Sequence, residues 1–354
     1  MEGEISNYIK VWFHVIISLC YCYGIGKIVP KGFFRLLNII PIMCVFLRLP
    51  LVLHTIHLCG TFAFFISWLA NFKLTLFAFG KGPLSEPSLS LKQFVVLASF
   101  PNNPNLPPKL ENSPLEKVHK SHKSLLNSSI KGVVFILVIR AYDYMMNNNM
   151  HPVVLNSLYS LHLYLFLEVT LGIVALLAKT MLEVELEPHF NEPYLASSLQ
   201  DFWGRRWNLV VVNTLRLSIY EPTKKFALGF IRPKCASLSA MLLTFLVSGL
   251  LHELLFYYLC RTRPTWEITC FFLLHGFFLL LEVSLKKKLA ARFQLPRIVS
   301  APLTLGFFMV TAFWLFFPQL LRCNVEQRAF QEYAQLSMFV KNAAQTFMLW
   351  LNNA

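Results

Sequence analysis

The sequence predicts an all-α polytopic membrane protein with about eight transmembrane helices, and three observations predict it. Of 354 residues, 56% are hydrophobic and 14% are charged, against roughly 45–50% and about 25% in soluble globular chains. Mean hydropathy is +0.53. Several apolar stretches reach the roughly 20 residues that a helix needs to cross about 30 Å of hydrocarbon, and a helix satisfies its own backbone there.

Taken in chain order, a helix-length window gives spans near 11–26, 33–53, 55–79, 129–146, 153–180, 237–260, 266–285 and 299–320. The first is too long for a signal peptide, carries His14 and aromatics, and lacks a small-residue cleavage site, so it reads as a span. Pro41, Arg48 and Pro50 interrupt the second. His54 and His57 border the third, where they read as interfacial. Asn71 and Lys73 fall near its cytosolic end, from which Lys73 can snorkel. The stretch 80–128 reads as a Pro-rich cytosolic loop, extended or mobile around Pro101 to Lys109, because proline removes donors and blocks helix. Arg140 and Asp143 are spaced to pair within the fourth span. The segment 181–236 reads as cytosolic or re-entrant, and the tail 330–351 as weakly amphipathic. Neither an internal repeat nor a soluble domain is visible, so residues 1–354 form one membrane-embedded domain.

The net charge of +14 is carried by alternate loops. Lysines and arginines crowd 27–35, 80–128, 181–236 and 286–298, while 147–152 has none and 261–265 has only Arg261 and Arg263. The positive-inside rule puts the first set in the cytosol and both termini in the lumen. Basic loops suit membrane lipids or a phosphorylated cosubstrate; charge scattered between spans does not suit nucleic acid. Eight cysteines lie mostly in apolar stretches with no CxxC or Cys/His ligand spacing, so free thiols and no metal are expected.

Two polar clusters stand out in this greasy chain, because an ionisable group in a span costs roughly 2.5–3.5 kcal/mol on insertion scales. One is Asn191 to Asn208, which contains Asp-Phe-Trp-Gly-Arg-Arg-Trp-Asn. Read as a helix, Asp201, Arg205 and Asn208 share a stripe with an Asp201–Arg205 pair, and Trp203 and Trp207 face the other way. Arg206 falls between the faces, and Asn191 and Glu192 add to the polar density. The same pattern also fits an interfacial anchor helix. The other cluster is Ser248-Gly249-Leu250-Leu251-His252-Glu253. There Ser248 and Gly249 share the His252 face and leave room for a helix or a substrate. His275 and Glu282, one stripe in the next span, read as packing or as partners of His252.

A membrane-embedded His and Asn suit acyl transfer to a hydroxyl. Neutral imidazole takes the alcohol proton, and an amide N–H holds the developing oxyanion. Both substrates can meet at one base without an acyl-enzyme, and no Gly-x-Ser-x-Gly elbow is present, although Cys260 stays open as a nucleophile. Two other classes remain: a proton-coupled transporter relaying through His252, Glu253 and Glu282, and a non-catalytic lipid-binding scaffold.

Asn191 to Asn208, the Ser-Gly-Leu-Leu-His-Glu run and Trp68 to Ser85 together resemble the plant wax synthases of the membrane-bound O-acyltransferase (MBOAT) superfamily. The resemblance runs the whole length and implies an MBOAT-like fold in the endoplasmic reticulum membrane. It implies transfer of a fatty acyl group from acyl-CoA, a cosubstrate needing no further cofactor, to a long-chain fatty alcohol or other lipid alcohol. It also implies that His252 is the catalytic histidine and Asn208 the conserved asparagine. Asp201, Trp203, Arg205, Arg206, Trp207, Asn191, Glu192, Ser248 and Glu253 are the expected substrate-binding residues. Similar plant enzymes acylate sterols or acetylate diacylglycerol, so the acceptor stays open.

Overall fold

The computed structural model describes residues 2–101, 129–142, 144, 150–182, 188–289 and 296–353. Among these, seven helices are long and apolar enough to cross a membrane: α1 (Gly3–Ile28), α2 (Phe33–Val52), α3 (Ile56–Ala78), α6 (Pro152–Leu182), α8 (Pro233–Cys260), α9 (Glu267–Lys286) and α10 (Arg297–Arg322). A shorter helix, α5 (129–142), occupies the fourth predicted span. The Arg140–Asp143 pairing and the stretch Asn102 to Lys109 lie outside the described residues.

Helix ends follow local chemistry. Pro152 and Pro233 open α6 and α8 at positions whose N–H is orphaned in any helix. Arg261, in the left-handed region at φ 55°, closes α8. The predicted loop 80–128 contains a helix, α4 (Leu91–Ser99), started by a capping box between Ser90 and Gln93 and packed inward through Phe94, Val96 and Leu97. The tail is a long helix, α11 (Val325–Asn353).

The core divides into two apolar clusters. One joins α1 to α4 with parts of α6 and α8; the other joins the start of α3, α5, α6, α8 to α11 and the segment around Leu199 to Trp203. Spans on the outside carry exposed apolar side chains such as Phe13, Ile17, Phe34 and Phe277, as a lipid-facing surface does. The exception is α3: 83% of its most apolar window is buried, against 28% for α1, so α3 is the interior span between the clusters. Helices α8 and α9 touch at two glycines. A Cβ on Gly249 would lie 2.9 Å from Thr269 Cα, and one on Gly276 3.0 Å from Phe245 Cβ.

Buried polar groups and a disulfide tie the ends together, and two expectations are corrected. Lys73 does not snorkel: it is 1% exposed, and its ammonium donates to the carbonyls of Leu97 and Phe100 at 2.7 Å each, where α4 ends. His57, in the first turn of α3, faces inward. Its Nδ1 is 2.7 Å from Glu332 and its Nε2 2.7 Å from Tyr333, both on α11. Not all thiols are free, because Cys260 and Cys323 form a disulfide whose Cα atoms are 5.5 Å apart. They sit 63 residues apart, a separation that carries no pairing signal of its own. The basic turn at Lys31, Gly80 and the motif segment share one end; Glu4, His54, Arg261 and Arg328 share the other.

Candidate active site

The motif segment Asn191 to Asn208 does not form the regular helix expected. After one turn at Leu199–Asp201, the chain winds wider over Phe202–Arg206, and the Trp207 amide bonds back five residues to the Phe202 carbonyl at 2.9 Å. That extra residue per turn moves the ion pair by one position. Asp201 meets Arg206 at 2.8 Å instead of Arg205. Arg206 also donates to the carbonyls of Asn191 and Glu192, at 3.1 and 3.2 Å, while the Asn191 amide returns a bond to the Arg206 carbonyl. Burial alone would raise the Asp201 carboxyl, but bonds from Arg206 and the Ser197 amide outweigh it and hold it below its ordinary value. Asp201, Arg206, Asn191 and Glu192 therefore form a clasp that closes the segment on itself. Arg205 is exposed and makes no hydrogen bond among the described residues.

The clasp delivers Asn208. Its backbone is left-handed at φ 36°, a conformation asparagine tolerates. Its Oδ1 caps the next helix, α7 (209–227), by accepting from the Val211 amide at 3.3 Å. The Nδ2 amine has no protein partner among the described residues, and Asn208 lines the main cavity. The tryptophans do not face the interface. Trp203 and Trp207 turn inward and line the same cavity, packed against Phe202 and Phe308.

That cavity has a volume of about 700 Å³. Gln200, Gly204, Arg216 and Tyr220 line one end, and Ile56, His57, Val325 and Glu326 the other. Its walls come from α3, α6, α8, α9 and α10, and most are apolar: Phe64, Leu167, Phe245, Leu255 and Phe272 among them. A space of this size suits a small-molecule substrate, for which pockets run roughly 300–1,000 Å³.

His252 stands on its wall. Nδ1 lies 2.7 Å from the Ser248 carbonyl one turn earlier. A carbonyl only accepts, so Nδ1 carries the proton and Nε2 is the basic nitrogen. Nε2 has no partner among the described residues. The ring lies on Phe272 at 4.4 Å between centroids and meets the edge of Trp68 at 5.2 Å. Glu253 turns away: it is 3% exposed and accepts from the Thr269 amide at 3.2 Å, outside the cavity. It is a helix-packing group, because consecutive helical positions point about 100° apart. Glu282 also lies outside, accepting from the Leu199 amide at 2.8 Å and pairing with Lys286.

Of the expected residues, His252, Asn208, Trp203, Trp207 and Ser248 meet at one cavity; Asp201, Arg205, Arg206, Asn191, Glu192 and Glu253 do not line it. Phe272 and Arg216 were not singled out by the sequence, and Trp68 entered only as the first residue of a longer run. Their signal was weak, since aromatic residues abound and Arg216 sits in a basic loop.

The profile of the family described as "Membrane bound O-acyl transferase family" matches residues 186–274, which hold both Asn208 and His252. The chain is 44% identical to acyl-CoA–sterol O-acyltransferase 1 of Arabidopsis thaliana over 94% of its length and 96% of that protein. It is 40% identical to the long-chain-alcohol O-fatty-acyltransferase of Simmondsia chinensis over 99% of both chains. A probable long-chain-alcohol O-fatty-acyltransferase 3 of Arabidopsis thaliana is 41% identical over 97% of each.

Proposed function

The chain belongs to the membrane bound O-acyl transferase family, and from that premise we propose that it moves a long-chain fatty acyl group from acyl-CoA to the hydroxyl of a long-chain alcohol. The observation that carries this is His252, its Nδ1 tied to a carbonyl and its Nε2 free beside a largely apolar cavity that also holds the amide of Asn208.

The alcohol oxygen attacks the thioester carbon while Nε2 of His252 accepts its proton. Negative charge grows on the thioester oxygen, where the Nδ2–H of Asn208 donates. The carbon–sulfur bond then breaks, and the imidazolium returns the proton to the leaving thiolate. Ester and free CoA result, and His252 is neutral again. Arg205 and Arg216, exposed near the motif end, suit the CoA phosphates. Arg206 is committed to the clasp. The enzyme would work in the endoplasmic reticulum membrane with the motif end in the cytosol.

Two sequence alternatives fare differently. A proton relay needs Glu253 and Glu282 on one path with His252, and neither lines the cavity. A sterol acceptor is the second reading, raised by the 44% identity to a sterol acyltransferase, while the other relatives reported above are long-chain-alcohol acyltransferases. The deciding assay uses microsomes from a host lacking neutral-lipid synthesis, supplied with labelled acyl-CoA and either fatty alcohol, sterol or diacylglycerol. Wax ester that disappears in His252→Ala at equal abundance is the expected outcome. Steryl ester or an acylglycerol in its place would reassign the acceptor, and undiminished ester from His252→Ala would overturn the catalytic role.

A further inference from the structure

Three hydrogen bonds in series run from the cavity wall to the backbone of α10. The indole Nε1–H of Trp203 donates to Nδ1 of His275 at 3.2 Å. The other ring nitrogen, Nε2, is 2.9 Å from the Thr311 hydroxyl. That hydroxyl lies 2.8 Å from the Phe307 carbonyl and 3.0 Å from the Phe308 carbonyl. Direction is fixed at each link. An indole nitrogen only donates, so Nδ1 of His275 is bare; the proton is on Nε2 and goes to Thr311, whose own proton goes to a carbonyl. The series works only with a neutral imidazole in this tautomer, because a proton on Nδ1 would face the indole N–H.

His275 is fully buried. Filling its space would need only a leucine or phenylalanine, which carry no polar atoms to satisfy. A histidine with both nitrogens partnered adds something apolar packing lacks, a fixed orientation for one donor. The oriented group walls the cavity. The Trp203 ring sits 5.7 Å from Phe272 and 5.8 Å from Phe245, and Phe272 lies against the imidazole of His252.

We propose that His275 is a positioning residue for acyl transfer. It holds the Trp203 indole in one pose and, through Phe272, the face of the His252 ring. This rests on His252 being the base.

The test uses full-length enzyme in detergent. Thr311→Val keeps the shape and removes the hydroxyl; Thr311→Ser restores it. Loosening a positioned base lowers kcat by about tenfold in Thr311→Val, with KM for acyl-CoA changed by less than kcat. Thr311→Ser returns kcat to within about twofold of the wild type, on the same reasoning. The second arm is a cycle between His275→Phe and Trp203→Phe, which keeps a ring and deletes the donor. If His275 acts through Trp203, adding His275→Phe to Trp203→Phe costs nothing further. Multiplying effects, or wild-type kcat in Thr311→Val, would overturn the proposal. An inactive His252→Ala beside a fully active Thr311→Val removes the relay alone, whereas an active His252→Ala removes the reading beneath it.

Discussion

Asn208 joins a structural role to the proposed donor role in one side chain, and a pair of substitutions separates them. Its Oδ1 caps α7 while its Nδ2 faces the cavity. Asn208→Asp keeps the acceptor and loses the donor, so its melting temperature should stay near that of the wild type while kcat falls by about 10²–10³-fold. Asn208→Ala loses both and should also lose about 1 kcal/mol of stability in a denaturation series. A second residue-scale expectation concerns acid. The folded Asp201 carboxyl is held below its ordinary value. Its contribution is therefore present above the unfolded pKa and is lost as pH falls through the folded one. The melting-temperature gap between wild type and Asp201→Asn should close as pH drops below the carboxylate range; a constant gap would remove the clasp. The sequence was legible here as to which residues gather but not as to partners. The Asp201–Arg205 reading assumed 3.6 residues per turn, and a single wide turn handed the pair to Arg206. Nothing in Phe-Trp-Gly-Arg-Arg announces that turn.

Among the elements, α8 and α9 carry the tightest constraint. Gly249 lets Thr269 approach so closely that a methyl there forces backbone apart. Gly249→Ala should cost about 1–3 kcal/mol, read as a lower melting temperature in detergent. Gly306→Ala, with open space around it, is the control expected to melt with the wild type. Span positions were readable because length and hydropathy set them directly. The helix α4 was readable in principle, since Ser-Leu-Lys-Gln is a capping box, but the prolines downstream drew the whole stretch into a loop. Which face of each span meets protein was not readable, because lipid and core are both apolar and the usual amphipathic stripe disappears.

For the whole molecule, the cavity lies where two apolar clusters meet along α3 and α8. Helix α11 fastens them: Glu332 accepts from the Ile56 and His57 amides and pairs with the His57 ring, across 275 residues of sequence. Glu332→Ala leaves those donors at the start of α3 unpaired, at a cost of about 1–3 kcal/mol. Faster proteolysis of the folded enzyme in detergent should report it. Equal cleavage rates would mean that α11 fastens nothing. This long-range tie and the disulfide were invisible in the sequence, as pairings across such distances leave no periodic trace.

The bridge between Cys260 and Cys323 also decides where the enzyme can be made. It fastens the last turn of the helix bearing His252 to the end of α10, opposite the basic loops. Disulfides persist in oxidising compartments and are rare where glutathione and thioredoxin keep thiols reduced. A host in which that end of the protein meets an oxidising compartment keeps the bridge closed. In strong reductant the bridge opens to two thiols, and the last turn of α8 is no longer tied to the end of α10.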